Sequence, residues 1–519
     1  MFDINKIPYI DQIPGIHGAF CNESVSKKVR TLQERERSEN KVLESIEEAV
    51  ERCGLQNGMT ISFHHHFRNG DYIVNMVLRV LSDMGFKDLT LAASSLTDVH
   101  EPVIEHIKSG LIHRIETSGL RGKLADAISH GLMDVPVVFR SHGGRAYAIE
   151  TGELKIDVAF LGAPSCDCYG NANGYSRDND KGISCGAMGY AKVDAEYANK
   201  VIILTDNIVP FPNTPFGIPQ SQVDYVVKVD AVGDPKGIMS GATRYTTNPK
   251  ELLIAEMAAN VIEASGRFKE GFSLQMGSGG ASLATLRFLR EKMIKKDIRA
   301  SFALGGITGS IVKVFEEGRI AKLLDVQSFD LEAAESVKNN RFHQQISASY
   351  YASPGNEGTA VNQLDVVVLS ALEVDLDFNV NVLTGSDGVI RGAIGGHCDT
   401  AQGASISIIV APLTRGRIPT IVDHVNTIVT PGRTIDILVT EQGIAVNPRK
   451  PIVTQRLKDA GLPVFTIEEL KERAEKLVGI PNNIQYKEKI VGIVTYRDGS
   501  VIDVIREVDD NWEKQEDLG

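Results

Sequence analysis

No long run of lysine or arginine occurs anywhere in the 519 residues, and the formal net charge is −12. Nucleic acids and anionic membranes both require a basic footprint, so neither is expected as a partner. Uninterrupted apolar stretches also fall well short of the roughly 20 residues that cross a bilayer. The opening Met1-Phe2-Asp3-Ile4-Asn5-Lys6 lacks the charged and apolar regions of a secretory leader. The chain reads as cytoplasmic. Cysteine is scarce, 6 in all, which excludes a disulfide framework. Cys166, Cys168 and Cys185 lie near one another, but no fourth ligand stands at a suitable spacing, so they read as reduced thiols and no metal is expected.

What is present is an ordinary globular balance, 42% apolar and 24% charged, in a chain long enough for two to three domains. Residues 24–52 are dense in charge and contain neither glycine nor proline, which predicts a solvated, helical N-terminal extension over residues 1–52. From Gly54 onward, short apolar runs (Met59–Phe63, Leu89–Ala93, Val137–Phe139, Asp157–Leu161, Val201–Thr205) alternate with helical patterns at Asn75–Met84 and Pro102–Lys108. That alternation predicts parallel α/β units. The proline-rich stretch Pro210–Pro219 closes a first domain, residues 53–240. Thr246-Thr247-Asn248 caps a helix over Pro249–Ala264 that opens a second, residues 241–519.

The second half repeats the first. Asp157-Val158-Ala159-Phe160-Leu161-Gly162-Ala163-Pro164-Ser165-Cys166-Asp167 aligns with Asp365-Val366-Val367-Val368-Leu369-Ser370-Ala371-Leu372-Glu373-Val374-Asp375. Without a gap, Asn171 then falls on Asn379 and Asn173 on Asn381. The same offset puts Leu96 on Leu304, Gly110 on Gly318 and Ile112 on Ile320. A constant offset over several elements predicts two tandem, internally duplicated open α/β domains, with the ligand cleft between them. Where the first copy has Ser165, the second has Glu373. A carboxylate present in one copy only, at the carboxyl end of a parallel strand, is a candidate for asymmetric chemistry.

Three glycine-rich loops follow strands in the Glu373 copy: Gly277-Ser278-Gly279-Gly280, Gly305-Gly306-Ile307-Thr308-Gly309, and Gly395-Gly396-His397-Cys398-Asp399. Free backbone amides in such loops hold phosphates or the oxyanion of an acyl-transfer intermediate. None has a Walker ending or a GxGxxG spacing, so nucleotide hydrolysis and dinucleotide binding are disfavoured. In the first copy, strand alternation over Met59–Arg68 puts Ser62, His64, His66 and Arg68 on one face. That face reads as a metal pair, a polycarboxylate-binding surface or a polar strand end. Anion binding is preferred, with Arg121 and Arg145 adding to it.

These segments resemble the coenzyme A transferase superfamily, where a Glu in an E-x-D-L context precedes a Gly-Gly-x-x-Asp loop, as in Glu373-Val374-Asp375-Leu376 and Gly395–Asp399 here. Within that superfamily the chain is similar to the citrate lyase alpha-chain family from about Leu55 to Ile505. GMTISFHHHFRNGD, TSGLRG, FLGAPSCDCYGNANGY, TTNPKELLIA, EGFSLQMGSGGAS, LGGITG, LLDVQSFD, NVNVLTGSDG, GGHCDTA and ILVTEQGIAVNP carry the likeness, in order.

The resemblance implies exchange of acetate for citrate on an acyl-carrier-protein thioester. A beta chain then cleaves the citryl thioester, and a gamma chain, the carrier, bears a phosphoribosyl-dephospho-coenzyme A group. No cofactor would be bound directly, acetyl-coenzyme A would substitute for the carrier thioester, and the chain would form a homo-oligomer. By the same resemblance Glu373 is catalytic. Gly277, Ser278, Gly279, Gly280, Gly305, Gly306, Gly395, Gly396, His397 and Asp399 surround the thioester, and His64, His66, Arg68, Arg121 and Arg145 receive citrate. The chain departs from related transferases at His397, where they mostly carry Gln, and at Cys398, where they carry an apolar residue. The rival readings are a stand-alone transferase for another small carboxylate and a non-catalytic scaffold that binds the carrier protein.

Overall fold

The computed structural model describes residues 3–16, 40–175, 184–239, 246–481 and 484–509. Two large sheets organise it. The first has ten strands in the order Val42–Leu43, Tyr225–Lys228, Lys200–Thr205, Val158–Gly162, Thr60–Phe63, Leu89–Ala93, Ile112–Thr117, Val137–Phe139, Tyr486–Thr495 and Val501–Val508. The second has nine, in the order His343–Gln345, Leu323–Ser328, Phe302–Ile307, Ser273–Met276, Val366–Ser370, Ile406–Val410, Ile437–Thr440, Gly443–Val446 and Val464–Phe465. Neighbours are parallel except for the two hairpin pairs, Tyr486–Thr495 with Val501–Val508 and Ile437–Thr440 with Gly443–Val446. Strands such as Leu89–Ala93 and Val158–Gly162 are buried throughout, as parallel sheets covered on both faces require.

The duplication is structural as well as textual. In the first sheet the strands run Lys200–Thr205, Val158–Gly162, Thr60–Phe63, Leu89–Ala93, Ile112–Thr117. The second repeats that order as Ile406–Val410, Val366–Ser370, Ser273–Met276, Phe302–Ile307, Leu323–Ser328. The short ladders Ser165–Asp167 with Ala172–Asn173, and Glu373–Asp375 with Val380–Asn381, also match. Even their turn chemistry is shared. Asp167 accepts from the backbone and side-chain amides of Asn171, and Asp375 does the same with Asn379. The helix Pro249–Ala264 forms where the sequence predicts it, with the Asn248 side chain accepting from the Lys250 amide as N-cap.

Two features depart from the linear division at residues 52/53 and 240/241. Residues 1–2 and 17–39 of the expected extension lie outside the described residues, and its last part, from Val42 to Arg52, is packed instead of solvated. Val42–Leu43 joins the first sheet beside Tyr225–Lys228, and Ile46–Cys53 buries Ile46, Ala49 and Val50 in that sheet's core. The C-terminal hairpin, residues 486–508, completes the first sheet by pairing with Val137–Phe139, not the second. The physical reason is an open edge. In the second sheet the corresponding strand, His343–Gln345, is left at the margin, whereas in the first the chain's end supplies the missing partner for its N–H and C=O groups. Residues 3–16 lie over this region, packing Ile7 and Ile13 against Val138, Ile490 and Ile493. Arg140, paired with Glu116 in the interior, donates to the carbonyls of Pro14 and Gly15. Among the described residues no helix is long and apolar enough to cross a membrane.

The halves are joined by backbone. Ile394 donates to the Ser118 carbonyl at 2.7 Å, Leu120 to Gly392 at 3.1 Å, and His142 to Gly395 at 2.9 Å. Gly119 and Ala393 form an antiparallel bridge so close that a Cβ on Gly119 would overlap the Ala393 side chain. Gly119→Ala therefore overpacks the seam. It is expected to lower stability by about 1–3 kcal/mol in urea unfolding.

Candidate active site

A cleft of about 660 Å³ lies along this seam. The first half contributes His65, Arg68, Arg121, His142 and Tyr190 to its wall, and the second contributes Gly277, Ser278, Gly279, Gly306, Arg391, Gly395, Gly396, His397 and Arg415. The sequence analysis expects a cleft between the copies, and a cleft lined by both halves lies there.

Glu373 begins a three-residue strand at the carboxyl end of Val366–Ser370. Its register opposite Asn381 brings the Asn381 side-chain amide to one carboxylate oxygen at 2.8 Å. Asn426 takes both oxygens, donating its backbone N–H at 2.9 Å and its side-chain N–H at 2.8 Å. Burial pushes the Glu373 pKa upward, opposed by the Asn381 and Asn426 donors and the Arg415 guanidinium. The side chain is 6% exposed and is not itself part of the cleft wall, although Ala371, Leu372, Gly385 and Arg415 around it are. At the matching place in the first half, the Ser165 hydroxyl donates to the Tyr175 carbonyl and accepts from Asn213. That copy holds a fully engaged hydroxyl and no carboxylate.

The glycine loops divide. Gly277, Ser278 and Gly279 line the cleft, and the 17-residue helix Gly280–Lys296 starts directly behind them. A helix N-terminus facing the cleft favours an anion or a developing oxyanion there. Gly280 is set back against Glu251 and Thr246. Gly305, in the left-handed region at φ +100°, lies over Gln275. Neither lines the wall, whereas Gly306, Gly395 and Gly396 do. Gly396 leaves no room for a side chain because the Tyr351 hydroxyl occupies the place of a Cβ. His397 is fixed between Thr430 (Nδ1, 2.7 Å) and the Ser370 carbonyl (Nε2, 3.0 Å). A carbonyl only accepts, so Nε2 carries the proton. Burial lowers the His397 pKa to about 4, and the neutral ring braces the strand end that leads to Glu373. Asp399 is away from the wall. It accepts from Ser141 at 3.0 Å, Gly143 N at 2.9 Å and Arg497 at 3.0 Å, binding the halves together.

The histidine face differs from the sequence reading. The strand ends at Phe63, so alternation stops before His64. His64 and His66 turn into the interior with their rings 4.0 Å apart, off the cleft wall; the Gly162 backbone meets the His64 ring, and among the described residues the His66 ring nitrogens have no hydrogen-bond partner. His65, placed on the opposite face by alternation, lines the cleft instead, its Nδ1 bonded to the Ser94 hydroxyl. Burial lowers the pKa of His64 to about 4, holds His65 and His66 well below the usual range, and lowers His142 to about 3. These rings are neutral at physiological pH, so positive charge on the first-half wall comes from Arg68 and Arg121. Arg145 is not on the wall. It is buried in a pair with Asp194 at 3.0 Å and also donates to Ser62 and the Ala92 carbonyl. Among the described residues no three His, Cys, Asp or Glu side chains converge as metal ligands.

Sequence reasoning missed His65, His142, Tyr190, Arg391 and Arg415 on the wall, and Asn426 on Glu373. Asn381 was legible as the repeat partner of Asn173, not as a partner of Glu373. Asn426 carries no comparable signal, because its place depends on a loop 53 residues away folding over the strand.

The family described as "Citrate lyase, alpha subunit" matches residues 39–508. The chain is 58% identical to the citrate lyase alpha chain of Escherichia coli (strain K12) over 479 residues, 92% of this chain and 93% of that one. Among solved structures it superimposes on the putative alpha subunit of citrate lyase from Streptococcus mutans, in complex with citrate. The TM-score is 0.89 at 56% identity, over 97% of this chain and 99% of that one. A 4-hydroxybutyrate CoA-transferase from Porphyromonas gingivalis shares the fold, with TM-score 0.53 at 18% identity over 84% and 97% of the two chains.

The burial pattern has two measurable consequences. Arg145→Ala leaves Asp194 as an uncompensated buried charge and is expected to cost about 3–5 kcal/mol in chemical denaturation. His64, His142 and His397 have folded pKa values below their unfolded values, so the unfolded state binds more protons between about pH 6.5 and 3. Stability is then full above pH 6.5 and falls with pH through that window. His397→Gln should flatten this slope in thermal melts taken between pH 4 and 7.

Proposed function

The chain belongs to the citrate lyase alpha-subunit family, and from that premise we propose that its cleft exchanges acetate for citrate on a carrier-bound thioester. Acetyl carrier protein and citrate give citryl carrier protein and acetate, the transferase step of citrate lyase. One thioester replaces another, so no nucleotide is needed. The obstacle is kinetic, because a resting carboxylate is a weak nucleophile and the acceptor carries three of them.

The observation that supports this reading best is Glu373, held by Asn381 and Asn426 at the seam between the halves, present in one copy of a duplicated fold. Around it the cleft supplies what the transfer requires. Arg68 and Arg121 offer fixed cations to a polycarboxylate on the first-half side. Gly277–Gly279, at the head of a helix, face the thioester side, where amide donors stabilise an oxyanion. His65, His142 and Tyr190 add neutral polar and aromatic surface that limits the water able to hydrolyse the thioester. Holding both acyl groups in one cleft replaces a bimolecular encounter by an intramolecular one.

Two routes use the carboxylate. Glu373 can attack the acetyl thioester and expel the carrier thiolate, giving an enzyme-bound anhydride. The thiolate reopens it to a glutamyl thioester and free acetate, after which citrate repeats the two steps in reverse. Alternatively, a citrate carboxylate can attack the acetyl thioester directly, expelling the thiolate to give an acetyl–citryl anhydride. The thiolate reopens that anhydride at the citryl carbonyl with release of acetate, while Glu373 orients and tunes charge. Trapping with hydroxylamine during turnover separates them, since only the first route leaves a protein-bound acyl group. The physiological thioester is the phosphoribosyl-dephospho-coenzyme A arm of the gamma chain, with acetyl-coenzyme A as a substitute donor. The beta chain then takes the citryl product, in a cytoplasmic assembly containing several copies of this chain.

The test is exchange of labelled citrate into acetyl thioester by the purified chain. Glu373→Gln is expected to reduce that rate by about a hundredfold or more. A near-normal rate in this variant would remove Glu373 from the chemistry.

A further inference from the structure

We propose that Asp503, a residue of the first sheet, is a positioning residue for the Glu373 carboxylate, acting through the loop segment that carries Asn426. The inference rests on the proposed role of Glu373 in the transfer. Asn426 supplies two of the three N–H donors that orient Glu373, so whatever fixes Asn426 fixes the angle of the carboxylate. Two residues on, the Ile428 N–H donates to Asp503 Oδ2 at 2.8 Å, while Asp503 Oδ1 accepts from Val504 N at 2.8 Å and holds the carboxylate in orientation.

The other hydrogen bonds of the segment lie within its own half, while Ile428 and Val429 pack against the core cluster dominated by the first half. Val429 and Thr430 donate to the Val380 carbonyl, and Thr427 shares a hydroxyl contact with Thr384. At Ile428 the tie crosses from the other half.

The importance of this tie comes from the space behind it. A second cavity of about 290 Å³ is bordered by Asn426, Thr427, Tyr486 and Asp503. Close packing would hold a loop in place whether or not one hydrogen bond were present. Beside a cavity, the segment has room to relax once the bond is lost. Tyr486, whose ionisation is opposed by burial and by the Glu373, Asp387 and Asp503 charges, borders the same cavity as a neutral side chain. The C-terminal hairpin thus does more than close a sheet edge, because it also reaches across the seam to set the reacting group.

The experiment compares Asp503→Ala, Asp503→Asn and Glu373→Gln in the full chain, with folding checked by circular dichroism and kcat given per folded enzyme. Asp503→Ala is expected to lower kcat by about ten- to a hundredfold, the scale of a small misplacement, with KM for citrate and for acetyl-coenzyme A within about twofold of the parent. Asp503→Asn keeps an acceptor for Ile428 and should recover to within about fivefold. The inference is overturned if Asp503→Ala keeps the parent kcat, if both KM values rise while kcat holds, or if the Asn variant is as slow as the Ala variant. Loss of activity in Glu373→Gln beside a normal Asp503→Ala would sink this inference alone. A normal Glu373→Gln would remove the reading on which it depends.

Discussion

Everything in the cleft depends on the two halves being locked in one registration, and the buried Asp399 carboxylate is the centre of that lock. It receives the Ser141 hydroxyl and the Gly143 amide from one half and the Arg497 guanidinium from the C-terminal hairpin. A carboxylate this deep is costly unless its charge is met, and burial alone would raise its pKa. Meeting that charge requires two helix N-terminal segments and a hairpin turn from three distant parts of the chain to arrive together. Arg497 also donates to the Ala352 carbonyl, and next to it the Ser118–Ile394 and Gly395–His142 backbone bonds continue the seam. The same elements that satisfy Asp399 bring His142, Gly395 and Gly396 to the wall of the cleft.

From this lock comes the asymmetry of the site. Duplication supplied two equivalent strand ends, each with a matching turn built on Asp167 or Asp375. One end carries Ser165, whose hydroxyl is absorbed locally, and the other carries Glu373, whose oxygens are held by Asn381 and Asn426. Three N–H donors keep the carboxylate oriented, and burial keeps it from full solvation. Arg68 and Arg121 give the first-half wall its positive charge, and the second-half wall combines Gly277–Gly279 with Arg391 and Arg415.

The charge logic of the cleft differs from a literal reading of its residue types. A run of three histidines beside an arginine suggests a cationic strand, yet depth makes the rings neutral and leaves the charge to guanidinium groups. Arg145 shows the converse, since it is charged but absorbed by Asp194. Whether a polar residue serves a ligand or the fold is decided by which neighbours reach it first, and a long side chain in a packed interior usually finds a partner there.

Much was nevertheless legible in the order of residues alone. The apolar runs at Leu89–Ala93 and Val137–Phe139, and the capped helix Pro249–Ala264, are local patterns whose energetics are local, and they appear at those bounds. The repeat was legible because duplicated strands keep their spacing, and with it came Glu373 as the odd residue out, while the pairing of Asn381 with Glu373 emerged only in the folded ladder. Tertiary structure alone decided the rest. The end of the Thr60–Phe63 strand exchanged His64 and His66 for His65, an open sheet edge drew residues 486–508 away from the domain that precedes them in the chain, and a loop folding back placed Asn426 on Glu373. Each of these depends on groups far apart in the chain competing for the same hydrogen bond or the same buried space. Period and propensity describe what a segment prefers by itself, and they contain no term for that competition.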